Sequence, residues 1–234
     1  MKKDKILKYI VVICYILSTL ILFHCIRIRL RPGAYILTNN RLILLGIVCI
    51  LIYTASIILV KNFHASKKIL KLNLIIYFLI YTVTIFTLTL FDEIFGRQGF
   101  IFVHWNLDLL KSYMNLSFNI IPFKTIKLFT LGYKYGLVTF NAYFSNIFGN
   151  ILVFMPYGFF IPMIFKKIDT YIKFIIFILL IVILIEISQF FTMSGSFDID
   201  DIILNLLGAS IAYGIYRISI IKRLFHKMVL FEEI

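Results

Sequence analysis

The 234-residue chain is 62% hydrophobic and carries a formal charge of +13, whereas a soluble domain is about half apolar. That excess excludes an ordinary water-soluble fold and leaves only the stretch 92–146 as chain that could lie outside a bilayer in quantity. The basic balance therefore reads as loop charge facing anionic lipid, so the expected partner is the lipid bilayer and no nucleic acid is implied.

Apolar runs of about 20 residues are long enough to span a bilayer core. Six occur, at 6–26, 42–60, 72–91, 147–165, 172–191 and 202–221. They predict an all-α fold, a polytopic membrane helix bundle with six transmembrane spans. The first run follows "MKKDKILK" and has no A-x-A-like cleavage site before the next charges, so it reads as an uncleaved span. Cys14, Cys25 and Cys49 lie within spans and read as buried, inert thiols. The first two spans have no ionisable residue in the middle and read as anchors. The third has a Thr-rich second half (Thr82, Thr84, Thr87, Thr89) suited to hydrogen bonds with neighbouring helices.

Lys and Arg mark the cytoplasmic side. With the N-terminus inside, the inner segments hold fifteen of them, and the short outer segment 27–41 holds four, Arg27, Arg29, Arg31 and Arg41. Both termini are therefore expected to be cytoplasmic, with 92–146 and 192–201 outside. Within the long outer loop, "NIIPFKTIKLFTLG" (119–132) interleaves Phe123, Ile126 and Phe129 with Lys124 and Lys127, and Pro122 suits a first helical turn. This predicts an interfacial or re-entrant element on the outer leaflet. Trp105 and nearby Tyr suit the same interface, and His104 reads as surface.

The fourth span opens with "SNIFGNILVFMPYGFFIP" (145–162). Asn146 and Asn150 are four apart and share one helix face, and Pro156 is expected to kink the helix. The fifth is almost pure hydrocarbon until Glu186, roughly 7–8 Å below its outer end, with Gln189 three residues on. The sixth runs inward from Asp200 or Asp201. Asn205 lies one turn below Asp201, and Gly208 and Ala212 continue that face, which suits close helix packing.

Three spans thus bring polar groups to one depth. The predicted binding set is Asn146, Asn150, Glu186, Gln189, Asp198, Asp200, Asp201 and Asn205. Each has a structural alternative. Asp198 or Asp200 can cap the last helix, and Asn150 and Asn205 can join helices. Arg217, near the inner end, suits snorkelling. Glu186 is expected to be protonated or neutralised, because a carboxylate in hydrocarbon costs some kcal/mol. Glu186 and Asp201 are the catalytic candidates, with Glu186 suited to a general base. Asp198, Asp200 and Asp201 are the candidate oxygen ligands for a hard cation. "DIDD" is too short to be specific, and no Ser-His-Asp set, phosphate-binding Gly loop, zinc spacing or internal repeat occurs. No cofactor follows from the residues.

Four blocks in order, "NIIPFKTI" (119–126), "NIFGNILVFMPYGFFIP" (146–162), "IEISQFF" (185–191) and "FDIDDIILNLLGASIAYG" (197–214), resemble the signatures of the VanZ family. These are membrane proteins associated with teicoplanin resistance. The resemblance implies a four-span core over 72–217, preceded by a two-span extension (1–71) and followed by a basic cytoplasmic tail (218–234). It also implies a bacterial plasma membrane and a role in resistance to teicoplanin or a lipoglycopeptide. The implied partners are a lipid-linked cell-wall precursor or the lipid-tailed antibiotic itself. The family often carries an Arg just before the Phe-Asp-Ile-Asp-Asp block, where this chain has Met193, Ser194, Gly195 and Ser196. The resemblance supplies a phenotype and a topology but no reaction. A membrane-embedded enzyme using the outer carboxylates remains an alternative. So does a proton-coupled transporter with Glu186 as relay, although no inverted repeat is visible.

Overall fold

A computed structural model describes residues 2–29, 38–91, 108, 111–113, 117–192 and 195–227. His104, Trp105, Met193 and Ser194 lie outside the described residues. The described residues are mostly helical. In order come α1 (Lys2–Arg29), α2 (Thr38–Asn62), α3 (Lys68–Phe91), β1 (Phe118–Asn119), α4 (Lys124–Lys134) and α5 (Phe140–Phe144). A π-helical turn (Ser145–Gly149) then leads into α6 (Asn150–Ile164), followed by α7 (Tyr171–Phe191), β2 (Phe197–Asp198), α8 (Ile199–Arg217) and α9 (Ser219–Phe225). Among the described residues, six helical stretches are long and apolar enough to cross a membrane: Lys3–Arg27, Leu42–Asn62, Lys68–Leu90, Phe140–Ile164, Tyr171–Phe191 and Ile199–Arg217. They coincide with the six expected spans.

The chain divides into two compact units, Met1–Thr82 with Arg223–Ile234, and Val83–Lys222. In the first, α1 and α2 pack through Val11, Cys14 and Ala55, with the Tyr15 and Ser56 hydroxyls 3.2 Å apart. Cys14 and Cys25 are buried and Cys49 is half-buried.

The second unit is built on α6, α7 and α8. Along α7, Ile172, Ile176, Leu180 and Leu184 recur every four residues and are exposed, while Phe174, Ile178 and Val182 are fully buried. That split is the 3.6-residue period of a helix with one face on protein and one on lipid. Thr170 caps α7 by accepting from the Lys173 backbone N–H. In the same loop, the Lys173 ammonium donates to Asp169 at 2.7 Å and holds that carboxyl below its usual range. The pair is exposed and contributes little to stability.

Helices α6 and α8 approach most closely. A Cβ at Gly208 would fall onto the backbone carbonyl of Ile151, and one at Gly158 would sit 2.6 Å from the Ala212 Cβ. Ala209 and Ala212 are fully buried in the same seam. Small residues thus let two backbones touch, as the Gly208/Ala212 spacing predicts. Gly158 is the partner on α6 that the spacing on α8 alone does not reveal. Helix α6 runs through Pro156, where a kink is expected, and through Pro162. A π-helical turn, Ser145–Gly149, precedes it.

Candidate functional site

The polar end of the second unit begins with a turn. Pro122 fixes its own φ for the second position of a β-turn over 121–124, closed by the Lys124 N–H donating to the Ile121 carbonyl. Phe123, at the third position, has φ 65° and ψ 5°, the left-handed geometry of a type II turn that normally takes Gly. Pro122 therefore precedes α4 rather than occupying its first turn. Helix α4 ends at Gly136, φ 72°. There the Leu137 and Gly136 N–H groups donate to the Gly132 and Tyr133 carbonyls in a Schellman motif.

A helix start leaves backbone N–H groups without intrahelical acceptors. On α4 the acceptor comes from another helix. The Phe123 N–H donates to Asp200 Oδ1, and the Thr125 and Ile126 N–H groups donate to Asp200 Oδ2 at 2.7 and 3.1 Å. Asp200 is fully buried. Its negative charge sits at the positive end of α4, where an anion is favoured.

Asp198 joins the same two elements. It is the N-cap of α8, with Oδ1 accepting from the Asp200 N–H at 2.9 Å, so the capping expected of this pair belongs to Asp198. Its carboxylate also accepts from Asn119 Nδ2 at 3.0 Å and from the Thr125 hydroxyl at 2.6 Å. Asn119 donates to the Thr125 hydroxyl oxygen as well, and accepts from the Ile121 N–H. Strands β1 and β2 pair in parallel at this point, Phe118 with Phe197 and Asn119 with Asp198. The Phe118 and Phe197 rings stack with centroids 5.0 Å apart. The segment 119–132, expected to be an interfacial or re-entrant element, thus forms β1, a turn and most of α4, and it is tied to the start of α8.

The remaining predicted residues divide. Glu186, 2% exposed, accepts from the Asp198 N–H at 3.2 Å, so it lies directly beneath β2. Asn150 Nδ2 donates to Asp201 Oδ1 and to the Asn146 carbonyl, joining α6 to α8. Asn146 and Asn205 are also within this end, and among the described residues the buried Oδ1 atom of each has no hydrogen-bond partner. Gln189 does not line the set: its Nε2 donates to the Thr89 carbonyl at 3.1 Å. That carbonyl is in the last turn of α3, where backbone acceptors are unpaired. The Thr87 and Thr89 hydroxyls bond back to their own helix, so the bond from α3 to α7 is made by backbone. Arg217, at the other end of α8, places its guanidinium 6.0 Å from the Tyr213 ring centre.

Asp198 and Asp200 each thus accept from three amide, hydroxyl or backbone donors. Among the described residues, no group of three or more His, Cys, Asp or Glu side chains comes together as a metal-binding cluster. Residues that sequence reasoning did not place in the site are Asn119 and Thr125. Their signal is present in "NIIPFKT", an amide two residues before a backbone N–H that it caps.

No solved structure matches the chain. It is 28% identical over 140 residues to Protein VanZ of Enterococcus faecium, an alignment covering 60% of this chain and 71% of that protein. The VanZ/LLP1 family matches residues 78–222, close to the range 72–217 over which the motif blocks carry the resemblance. That match takes in β1, α4 and the whole carboxylate–amide set, and the chain belongs to the VanZ/LLP1 family.

Proposed function

We propose that the protein contributes to glycopeptide resistance at the outer leaflet of a bacterial plasma membrane, with both termini cytoplasmic. In this reading α4 is the working surface, held where a lipid-tailed glycopeptide or a lipid-linked cell-wall precursor lies. The observation that carries it is the Asp200 carboxylate accepting from the Phe123, Thr125 and Ile126 N–H groups. A buried charge used in this way holds an amphipathic helix rigidly at one end of the membrane spans. The short-segment Lys and Arg distribution supports the outer placement of that end.

A second reading, a membrane-embedded enzyme using Glu186 and Asp201, is favoured by the buried Asn146 and Asn205 oxygens. They lie on turns adjoining the Asn150–Asp201 bond and suit a ligand that brings hydrogen-bond donors.

Expression in a susceptible bacterium tests both. The protein should raise tolerance to teicoplanin and leave tolerance to an untailed glycopeptide unchanged. Asp200→Asn, at matched membrane abundance, should abolish the gain by releasing α4. Glu186→Gln keeps an acceptor for the Asp198 N–H, so it should retain resistance under the first reading and lose it under the second. A cysteine introduced as Ser196→Cys should react with an impermeant thiol reagent from outside, and Lys67→Cys should not. Full resistance in Asp200→Asn would remove α4 as the working surface.

A further inference from the structure

The free side of α4 carries its own pattern. Lys124, Lys127, Leu128, Leu131 and Tyr135 recur at i, i+3, i+4, i+7 and i+11 and therefore form one stripe. Thr125 and Gly132, half-buried and buried, flank this stripe and line the same groove, while Ile126, half-buried, lies on the far side of the helix. The free stripe forms one wall of a groove of about 620 Å³, whose opposite side includes Ser117, Phe118 and Ser196. The groove is polarised along its length. Two ammonium groups stand at the N-terminal end of α4. Leu128, Leu131 and Leu137, all substantially exposed, stand toward the other. Lys124 to Tyr135 is a run of about 16 Å at the rise of an α-helix. Asp198 also lines the groove, but it is 5% exposed and its carboxylate is taken up by Asn119, Thr125 and the Asp200 N–H. The lining thus sets two exposed cations against one buried carboxylate.

From this we infer that the groove binds one lipid with an anionic phosphate headgroup, with the phosphate at Lys124 and Lys127 and an acyl chain along Leu128 and Leu131. Charge complementarity selects the anion. The apolar half selects a tailed molecule over a free phosphate ion, because a hydrophilic anion leaves those leucines wet. The inference rests on the outer-leaflet reading of α4 and is independent of resistance. It names a ligand class and a site that the carboxylate–amide set does not provide, since carboxylates repel phosphate.

The test uses purified full-length protein in neutral detergent and native mass spectrometry with added phosphatidylglycerol, phosphatidylcholine or inorganic pyrophosphate. One phosphatidylglycerol should be retained in preference to phosphatidylcholine, and inorganic pyrophosphate should not displace it at equal concentration. The double change Lys124→Gln with Lys127→Gln should weaken retention about tenfold or more. Both side chains are exposed, so protection of the Thr125 and Ile126 amides from hydrogen exchange should be unchanged. Leu128→Gln should weaken phosphatidylglycerol retention while leaving the two lysines in place. Equal retention of phosphatidylglycerol by the double variant would overturn the site. Displacement by inorganic pyrophosphate would overturn the tailed ligand. The assay contains neither cells nor antibiotic, so it fails separately from the resistance reading.

Discussion

The seam between α6 and α8 and the clamp on α4 hold the second unit together by opposite means. At the seam Gly208 and Gly158 contribute absence of volume, and backbone rests on backbone. At the clamp Asp200 contributes a charge that three N–H groups of another element share. A steric contact fails when atoms are added. A charge-assisted contact fails when the charge is removed, even if the shape is kept. The two regions should therefore respond to different substitutions and to different measurements.

The largest effect is expected at the clamp. Asp200→Asn keeps the shape, but its NH₂ group would face one set of backbone donors and leave them unpaired. Hydrogen bonds to charged groups are worth about 1.5–3 kcal/mol each, so the docking of α4 should weaken by about 3 kcal/mol or more. Hydrogen exchange at the Phe123, Thr125 and Ile126 amides should accelerate about 100-fold, while the α6–α8 amides stay protected. Unchanged protection at those three amides would mean that α4 is held by its apolar contacts and not by the carboxylate.

The seam should give the next largest effect and the converse pattern. Gly208→Leu forces the Ile151 backbone away, and overpacking costs about 1–3 kcal/mol. Thermal unfolding in detergent should shift down by that amount. A shift that leaves α4 exchange unaltered would establish that seam and clamp are energetically separate. Unaltered melting would show that α8 can slide to accommodate the side chain.

The same contrast explains what the sequence discloses. Spans, a cap at Asp198 or Asp200 and the Gly208/Ala212 face are legible because each follows from spacing within one helix. Glu186 and Asp201 are legible as polar groups at a common depth, because span ends set depth. The clamp is not. Asn119 and Asp198 are 79 residues apart, and β1 and β2 are two residues each, too short to show a period of two. Gln189 reads as a member of the set, one turn from Glu186, yet that one turn carries it to the α3 carbonyl. The π turn at Ser145–Gly149 shifts the register between Asn146 and Asn150. A rule of four per turn does not foresee it.

The smallest predicted effect sharpens the comparison at its most local point. Phe123 has a positive φ in a turn position made for Gly. Holding a non-Gly residue there costs of order 1–3 kcal/mol. Phe123→Gly would relieve that strain and would keep the N–H that donates to Asp200. It would also give the unfolded chain more freedom, worth roughly 0.5–1 kcal/mol against folding. Because the Phe123 ring is 62% exposed, little packing is lost in detergent. The balance should be a gain between about zero and 2 kcal/mol in α4 docking, seen as slower exchange at Thr125 and Ile126. If exchange instead quickens, the ring contributes to docking. The turn would then be held in its left-handed geometry by the side chain as well as by the carboxylate, and the clamp would share some of the steric character of the seam.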